Sequence, residues 1–308
     1  MKRTEWSAFL LLGLIWGSSF LWIKIAVREI GPFTLVAFRL LFGLIGLLAI
    51  MRLQRQTFPR DRRILLAFLF LGVFNTALPF VLISWGETSI DSALASILNG
   101  TMPLFTIVIA HFWLHDERIT LTRLGGLIVG FVGVVVLVSR NAGSGGVTGN
   151  NMLGQLAVLA AAASYATAAT FTRKHLRGQR PLVQATMVVM IADALIWLLV
   201  PVADRPLRLP TLPLTWLALA WLGLLGSCLA YLLYFYLINA WGATRAALVT
   251  YVFPVVGVIL GIVLLQETAD WRLIAGSLLV VSGIAIVNFK PRLKRASAAT
   301  VTKLRSQA

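Results

Sequence analysis

The sequence predicts an all-α integral membrane protein, with ten transmembrane helices in two five-helix repeats of inverted topology. Three observations carry that expectation. The 308 residues are 59% apolar by type and only 12% charged, about half the charge a water-facing domain carries, and mean hydropathy is +0.88. The apolar residues fall into ten runs of membrane-crossing length. The second half of the chain repeats motifs of the first. A soluble enzyme is excluded by the first observation alone.

A spanning helix needs about 20 mostly apolar residues. Runs of this kind occupy residues 6–26, 33–52, 64–85, 90–113, 121–139, 152–173, 181–201, 213–237, 243–265 and 271–289. They are continuously apolar rather than alternating, which argues against a β-barrel. Short connectors between them leave no room for a soluble catalytic domain. The first run follows Lys2 and Arg3 but is too long for a signal-peptide core and ends in no cleavage-like site, so a retained first helix is expected.

The net charge of +16, from 27 Lys and Arg against 11 Asp and Glu, at first suggests a polyanion partner. Placed on ten spans it sorts by side. With a cytoplasmic N-terminus, 20 basic residues face inward, five (Arg28, Arg140, Arg205, Arg208 and Arg272) face outward, and Lys24 and Arg39 lie inside helices. Such asymmetry in short loops is the positive-inside signal. It predicts a multi-pass inner-membrane protein with both termini cytoplasmic, membrane lipid as a partner, and no nucleic-acid partner. Cys228 is the single cysteine and there are three histidines, so no metal site and no cofactor are expected.

The repeat is visible in two blocks. ASILNGTMPLFTIVIAHFWLHDE aligns with AALVTYVFPVVGVILGIVLLQE, Pro103 over Pro254. With a one-residue gap, Glu117 meets Glu267, Gly126 meets Gly276 and Gly133 meets Gly283. Upstream, WGSSFLWIK (16–24) lies over YATAATFTR (165–173). Five helices per copy is an odd number, so the second copy enters the membrane from the opposite side. Inverted repeats are characteristic of secondary transporters, whose site lies near the midplane between the halves. The expected organisation is a first repeat over 1–140, a Gly/Ser-rich connector NAGSGGVTGNN over 141–151, a second repeat over 152–289 and a basic tail over 290–308.

On LLGLIWGSSFLWIK, the FRLLFGLIG run around Arg39 and the paired Pro-to-Glu-to-Gly blocks, the chain resembles the EamA branch of the drug/metabolite transporter superfamily along essentially its whole length. The resemblance implies export of small metabolites, amino acids among them, with helices 5 and 10 as peripheral supports. A small-molecule substrate is the implied partner, and a monomer is expected.

Candidate residues follow from what lipid tolerates. Pro103 and Pro254 sit mid-helix at matched positions and free the carbonyls of Asn99 and Thr250, one turn earlier. Such breaks should face protein or a cavity, which makes them hinge candidates; Pro79 is a third, without a Pro partner in helix 8. Trp16, Phe20, Phe74, Tyr165, Tyr231, Tyr234 and Tyr251 lie at mid-depth, where the polar tips of Trp and Tyr need partners. With Ser19, Asn75, Leu78, Asn99, Met102 and Thr250 they form the candidate substrate lining, suited to a solute with an apolar or aromatic side chain. Ordinary core packing is the competing reading for each. Trp6, Trp22, Trp85, Trp113, Trp216, Trp241 and Trp271 lie near helix ends, as interfacial belts do. Gly13/Gly17, Gly126/Gly130 and Gly257/Gly261 permit close helix contact, the first pair with a cavity role beside Trp16.

Intramembrane charge points to function by default. Lys24 is near the outer end of helix 1, where it can snorkel. Arg39 can pair with Glu29 or a carbonyl, or meet a substrate carboxylate through its fork of donors. Asp193 is expected to be the only buried acid and so the candidate for proton coupling. Glu117 and Glu267 precede helices 5 and 10 and are expected to cap them. Two other readings stand beside a carrier working by alternating access. A passive channel-like facilitator, or an exporter of drugs or other metabolites, could use the same fold. A membrane-embedded transferase would need an acid cluster or a histidine–acid pair, which the loops lack.

Overall fold

The protein is described here by a computed structural model covering residues 3–113, 119–139, 150–176, 178–241 and 247–288. Asp116, Glu117, most of the 141–151 connector and the basic tail lie outside the described residues. Within them every regular element is helical. Nine helices are long and apolar enough to cross a membrane: α1 (Arg3–Ala26), α2 (Pro32–Leu53), α3 (Arg62–Gly86), α4 (Ser92–Trp113), α5 (Leu121–Val138), α6 (Asn151–His175), α7 (Pro181–Ala203), α8 (Pro213–Tyr234) and α9 (Leu248–Leu265). A shorter apolar helix, α10 (Trp271–Val287), follows.

Local chemistry sets several boundaries. Pro32, Pro181 and Pro213 open α2, α7 and α8, where the missing N–H costs nothing. Asp61 caps α3 by accepting from the Arg63 amide at 2.7 Å, and Thr120 caps α5 through the Arg123 amide. α9 stops at Gln266, whose left-handed φ of 57° turns its N–H back to the Gly261 carbonyl.

Four of the spans are irregular, in matched pairs. α4 is interrupted at Gly100–Thr101, between segments Ser92–Asn99 and Met102–Trp113. α9 opens with a 3-10 turn, Ala247–Tyr251, before Val252–Leu265. Pro103 and Pro254 stand just beyond these two breaks, and the breaks meet: a Cβ on Gly100 would lie 2.9 Å from the Pro254 ring. The second pair was not foreseen. α3 is π-helical over Gly72–Ala77, directly before Pro79, and α8 is π-helical over Trp221–Leu229. The two stretches lie over one another in the repeat alignment. A π-segment leaves carbonyls without their usual donors, and both segments are tied from outside. The Trp16 indole donates to the Gly226 carbonyl at 3.0 Å, and the Ser164 hydroxyl donates to the Phe74 carbonyl at 2.6 Å. Thus α1 latches α8, and its repeat partner α6 latches α3.

Packing repeats the same symmetry. Gly72 abuts Ile191 of α7 at 2.7 Å, and Gly223 abuts Phe42 of α2 at 2.5 Å, measured from a Cβ built on each glycine. α5 and α10 pack directly on each other. A Cβ on Gly126 would fall 2.7 Å from the Gly283 carbonyl, and one on Gly133 2.8 Å from the Gly276 carbonyl, so these helices touch along their main chains. Gly13 and Gly17 face Val252 and Val256 of α9. They form a helix contact, and not the cavity wall expected from their place beside Trp16.

Several expectations about charge are corrected. Lys24 does not snorkel outward: its ammonium donates to the carbonyls of Glu87 and Ile90, both at 2.7 Å. Glu29 does not pair with Arg39. It accepts from the Thr211 amide at 2.6 Å, the Thr211 hydroxyl at 2.5 Å and the Leu212 amide at 3.0 Å. Glu267 does not cap α10. It reaches back to the amides of Ser92 and Ala93 at 2.7 and 2.9 Å and so caps α4, while Asp270 serves α10. Asp193 is not the only buried acid, because Glu87 and Asp204 are buried as well. Each correction has one cause: hydropathy reports depth along the membrane normal, whereas these side chains turn sideways into neighbouring helices.

Candidate substrate site

The middle of the bundle is built around Arg39. FRLLFGLIG on α2 places this guanidinium toward the protein interior, where it is only 6% exposed. Its Nε donates to the Ser227 hydroxyl at 3.4 Å, and its Cζ lies 3.9 Å from the centre of the Phe80 ring, a cation–π contact. Ser227 sits in the π-segment of α8 and donates in turn to the Leu222 carbonyl. Among the described residues, the guanidinium makes this single hydrogen bond. Tyr165, Tyr231 and Glu87 lie within its electrostatic reach, and Gly226 opens space beside its terminal nitrogen, 3.9 Å from a built Cβ.

An aromatic wall adjoins it. Trp16 contacts Tyr231 edge-on at 6.3 Å, Tyr234 at 5.4 Å and Phe253 edge-on at 5.7 Å between ring centres. The Tyr231 hydroxyl faces the Asn75 and Thr76 side chains of the α3 π-segment. Ser19 is close to Gly226, and the buried Asn99 side-chain oxygen has no partner among the described residues.

The structure therefore brings together Trp16, Ser19, Asn75, Tyr165, Tyr231 and Tyr234 around Arg39. Others of the candidate lining lie elsewhere. Phe74 belongs to a stacked row, Phe74–Phe70–Phe171–His175, with ring separations of 4.5, 4.2 and 4.3 Å. The Tyr251 hydroxyl reaches the Ile284 carbonyl of α10. Leu78 is 38% exposed, and Phe20 is buried in the core. Met102 borders the α4 break and Thr250 lies in the 3-10 turn that opens α9. Asp193 is not among the charges acting on Arg39; it stands beside Trp197, one turn on.

Sequence reasoning missed Phe80, Gly226, Ser227 and Phe253. The recurrence of Gly72 at Gly223, in the same alignment that pairs the prolines, was the available signal for the π-segments. Nothing in the sequence marks Ser227.

The far end of the bundle, where α1, α3 and α9 finish, is fastened by polar side chains that cross between helices. Lys24 ties α1 to the 87–91 connection, and Glu267 ties the end of α9 to the start of α4. Asp204 ties the end of α7 to the start of α2, accepting from the Thr34 amide at 2.7 Å and its hydroxyl at 2.8 Å. Glu29 completes the set: the Thr211 and Thr215 hydroxyls, then the Thr211 and Leu212 amides, hold its carboxyl down at about 2.

Comparison with known proteins agrees with this architecture. A model of the EamA-like transporter family matches the chain twice, over residues 5–139 and 152–289. An uncharacterized transporter of Archaeoglobus fulgidus is 27% identical over 92% of this chain and 98% of its own. A protein of Salmonella typhimurium named "Probable amino-acid metabolite efflux pump" is 28% identical over 96% and 98%. The uncharacterized inner membrane transporter YedA of Escherichia coli is 29% identical over 85% and 83%. A solved crystal structure matches all of both chains with a TM-score of 0.66 at 20% identity, a likeness of fold. These relatives are named transporters and not enzymes, so the transferase reading falls away. With two matched copies covering most of its length, this multi-pass membrane protein belongs to the EamA-like transporter family.

Proposed function

We propose that the chain is an inner-membrane exporter of small carboxylate-bearing metabolites, amino acids with apolar or aromatic side chains foremost. The observation that carries this reading is Arg39, a buried guanidinium with one long protein hydrogen bond, set against the Trp16–Tyr231–Tyr234 wall. A permanently charged side chain held in a protein interior needs an anionic or hydrogen-bonding partner. A substrate carboxylate fits its planar fork, and the aromatic wall fits an apolar side chain. The efflux-pump name of the Salmonella relative supports the amino-acid class, and the name of the Escherichia coli relative supports the inner membrane.

Arg39 itself is buried, so passing a substrate from it to both sides of the membrane requires the halves to part. The paired breaks and π-segments supply flexible points in α3, α4, α8 and α9, which supports alternating access about Arg39. The charge distribution supports cytoplasmic termini. A monomer suffices, because both repeats lie in one chain.

Proteoliposomes test the reading. Labelled amino acid should enter faster when the vesicles are preloaded with unlabelled amino acid, as exchange through a carrier demands. The same side chain carried on a decarboxylated amine should not compete. Equal competition by the amine would remove Arg39 as the carboxylate receptor, and entry indifferent to preloading would indicate a passive facilitator.

A further inference from the structure

Glu87 is a side chain that the fold does not use. It follows α3 directly, its amide completing the last turn at the Ile83 carbonyl, and it is 0% exposed. Neither carboxyl oxygen has a hydrogen-bond partner among the described residues. The neighbouring charges are committed elsewhere. Lys24 from α1 spends two donors on main-chain carbonyls, one of them that of Glu87 itself. Glu267, between α9 and α10, accepts two amides of α4. Arg39 from α2 is held at Ser227 and Phe80. α6 packs on Gly86 through Gly154 and Val158 and contributes none of the charges acting on Glu87. Asp91 lies further along the same connection.

A buried ionised carboxylate without hydrogen bonds costs several kcal/mol, whereas the neutral acid does not carry that cost. Burial pushes this carboxyl well above the usual carboxylate range; Lys24 opposes the shift, Glu267 adds to it and Arg39 opposes it. The Lys24 tie ends on the Glu87 carbonyl itself, and the Glu267 tie, a few residues on, is close enough to act on the Glu87 carboxyl; both fasten this end of the bundle. If that end opens, both ties part and water reaches the carboxyl.

We infer that Glu87 is a proton-binding site linked to the gate at this end of the bundle, taking up one proton from the adjoining aqueous phase on closure and returning it on opening. The inference rests on the transport reading for its consequence, and on Glu87's surroundings alone for the site. Acid on this face favours the closed form, because closing raises the proton affinity of Glu87. Alkaline conditions favour the open form. In the cycle, the pH on this side sets how often the Arg39 site is presented to it.

Two measurements test it. Infrared difference spectra of the purified full chain in detergent, recorded across pH, should contain the carbonyl band of a protonated carboxylic acid at neutral pH. Glu87→Gln should remove that band and Asp193→Asn should leave it. A band that survives Glu87→Gln, or its absence from the wild type, overturns the site whether or not any amino acid is carried. In proteoliposomes, exchange of labelled amino acid should fall several-fold as the far-side pH is lowered, and Glu87→Gln should flatten that profile while exchange persists. A pH profile unchanged by the substitution overturns the link to the gate. Failure of every amino acid to exchange in the wild type would instead count against the proposed function and leave the infrared result standing.

Discussion

The two repeats share their backbone and not their charges. Both carry a fourth helix irregular before its proline, a third helix with a π-helical stretch and a latch that one neighbour throws onto that segment: Trp16 onto Gly226 in one case, Ser164 onto Phe74 in the other. Both contribute glycines to the α5–α10 contact. Arg39, by contrast, falls against Val188, Val189 and Met190 of α7, and Glu87 against residues 236–238, which carry no charge. The difference separates two jobs. In the proposed cycle, symmetric main-chain irregularities would let either half move in the same way, whereas a single asymmetric charge would give the centre one receptor for one carboxylate.

Five substitutions can break or sharpen this comparison. The largest effect should come from the unshared charge. Arg39→Ala removes charge-assisted bonds worth about 1.5–3 kcal/mol, a weakening of about 10- to 100-fold in apparent affinity for amino acids, read from competition in exchange assays. Next is the shared α5–α10 contact. Gly126→Val forces a side chain against the Gly283 backbone and should cost about 1–3 kcal/mol through overpacking, read as lowered thermal stability in detergent with the order of substrate preference unchanged. The latches come third. Trp16→Phe and Ser164→Ala each remove one buried donor and should destabilise by similar amounts, about 0.5–1.5 kcal/mol; a large disparity would show that the two π-segments are not equivalent.

The smallest effect belongs to Glu29. Its carboxyl is held at about 2 by the Thr211 and Thr215 hydroxyls and the 211–212 amides. A depressed folded value means the stabilisation is full above the ordinary carboxylate range, near 4.5, and is lost as pH falls toward 2. Thermal melts over that window should slope less for Glu29→Gln than for the wild type.

Much of the architecture was legible in the sequence because the bilayer imposes it. Span length, the Pro103/Pro254 pairing and the Gly-x-x-x-Gly spacings all answer to lipid thickness or to close helix contact, and each has a residue-level signature. The π-segments lacked one, since their sole marker is the Gly72/Gly223 recurrence and a π-turn depends on tertiary latches. Glu87 was passed over because it stands two residues beyond an apolar run, where hydropathy expects water, and only the packing of α1, α6 and α9 shows it dry. Lys24 and Glu267 were misplaced for a related reason: their partners are main-chain groups of helices distant in sequence, which no local pattern encodes. The Trp16–Tyr231–Tyr234 group was foreseen by depth, yet Tyr251 at similar depth turns to α10, because depth does not determine direction.

The central claim is that Arg39 is the carboxylate receptor. The most direct test is exchange of a labelled aromatic amino acid in proteoliposomes containing the wild type or Arg39→Lys, with the matching decarboxylated amine as competitor. The account predicts that the amine fails to compete in the wild type, and that the lysine variant, keeping the charge but losing the fork, binds the amino acid at least about tenfold more weakly, the equivalent of about 1.4 kcal/mol. Equal affinity in wild type and variant, together with competition by the amine, would contradict it.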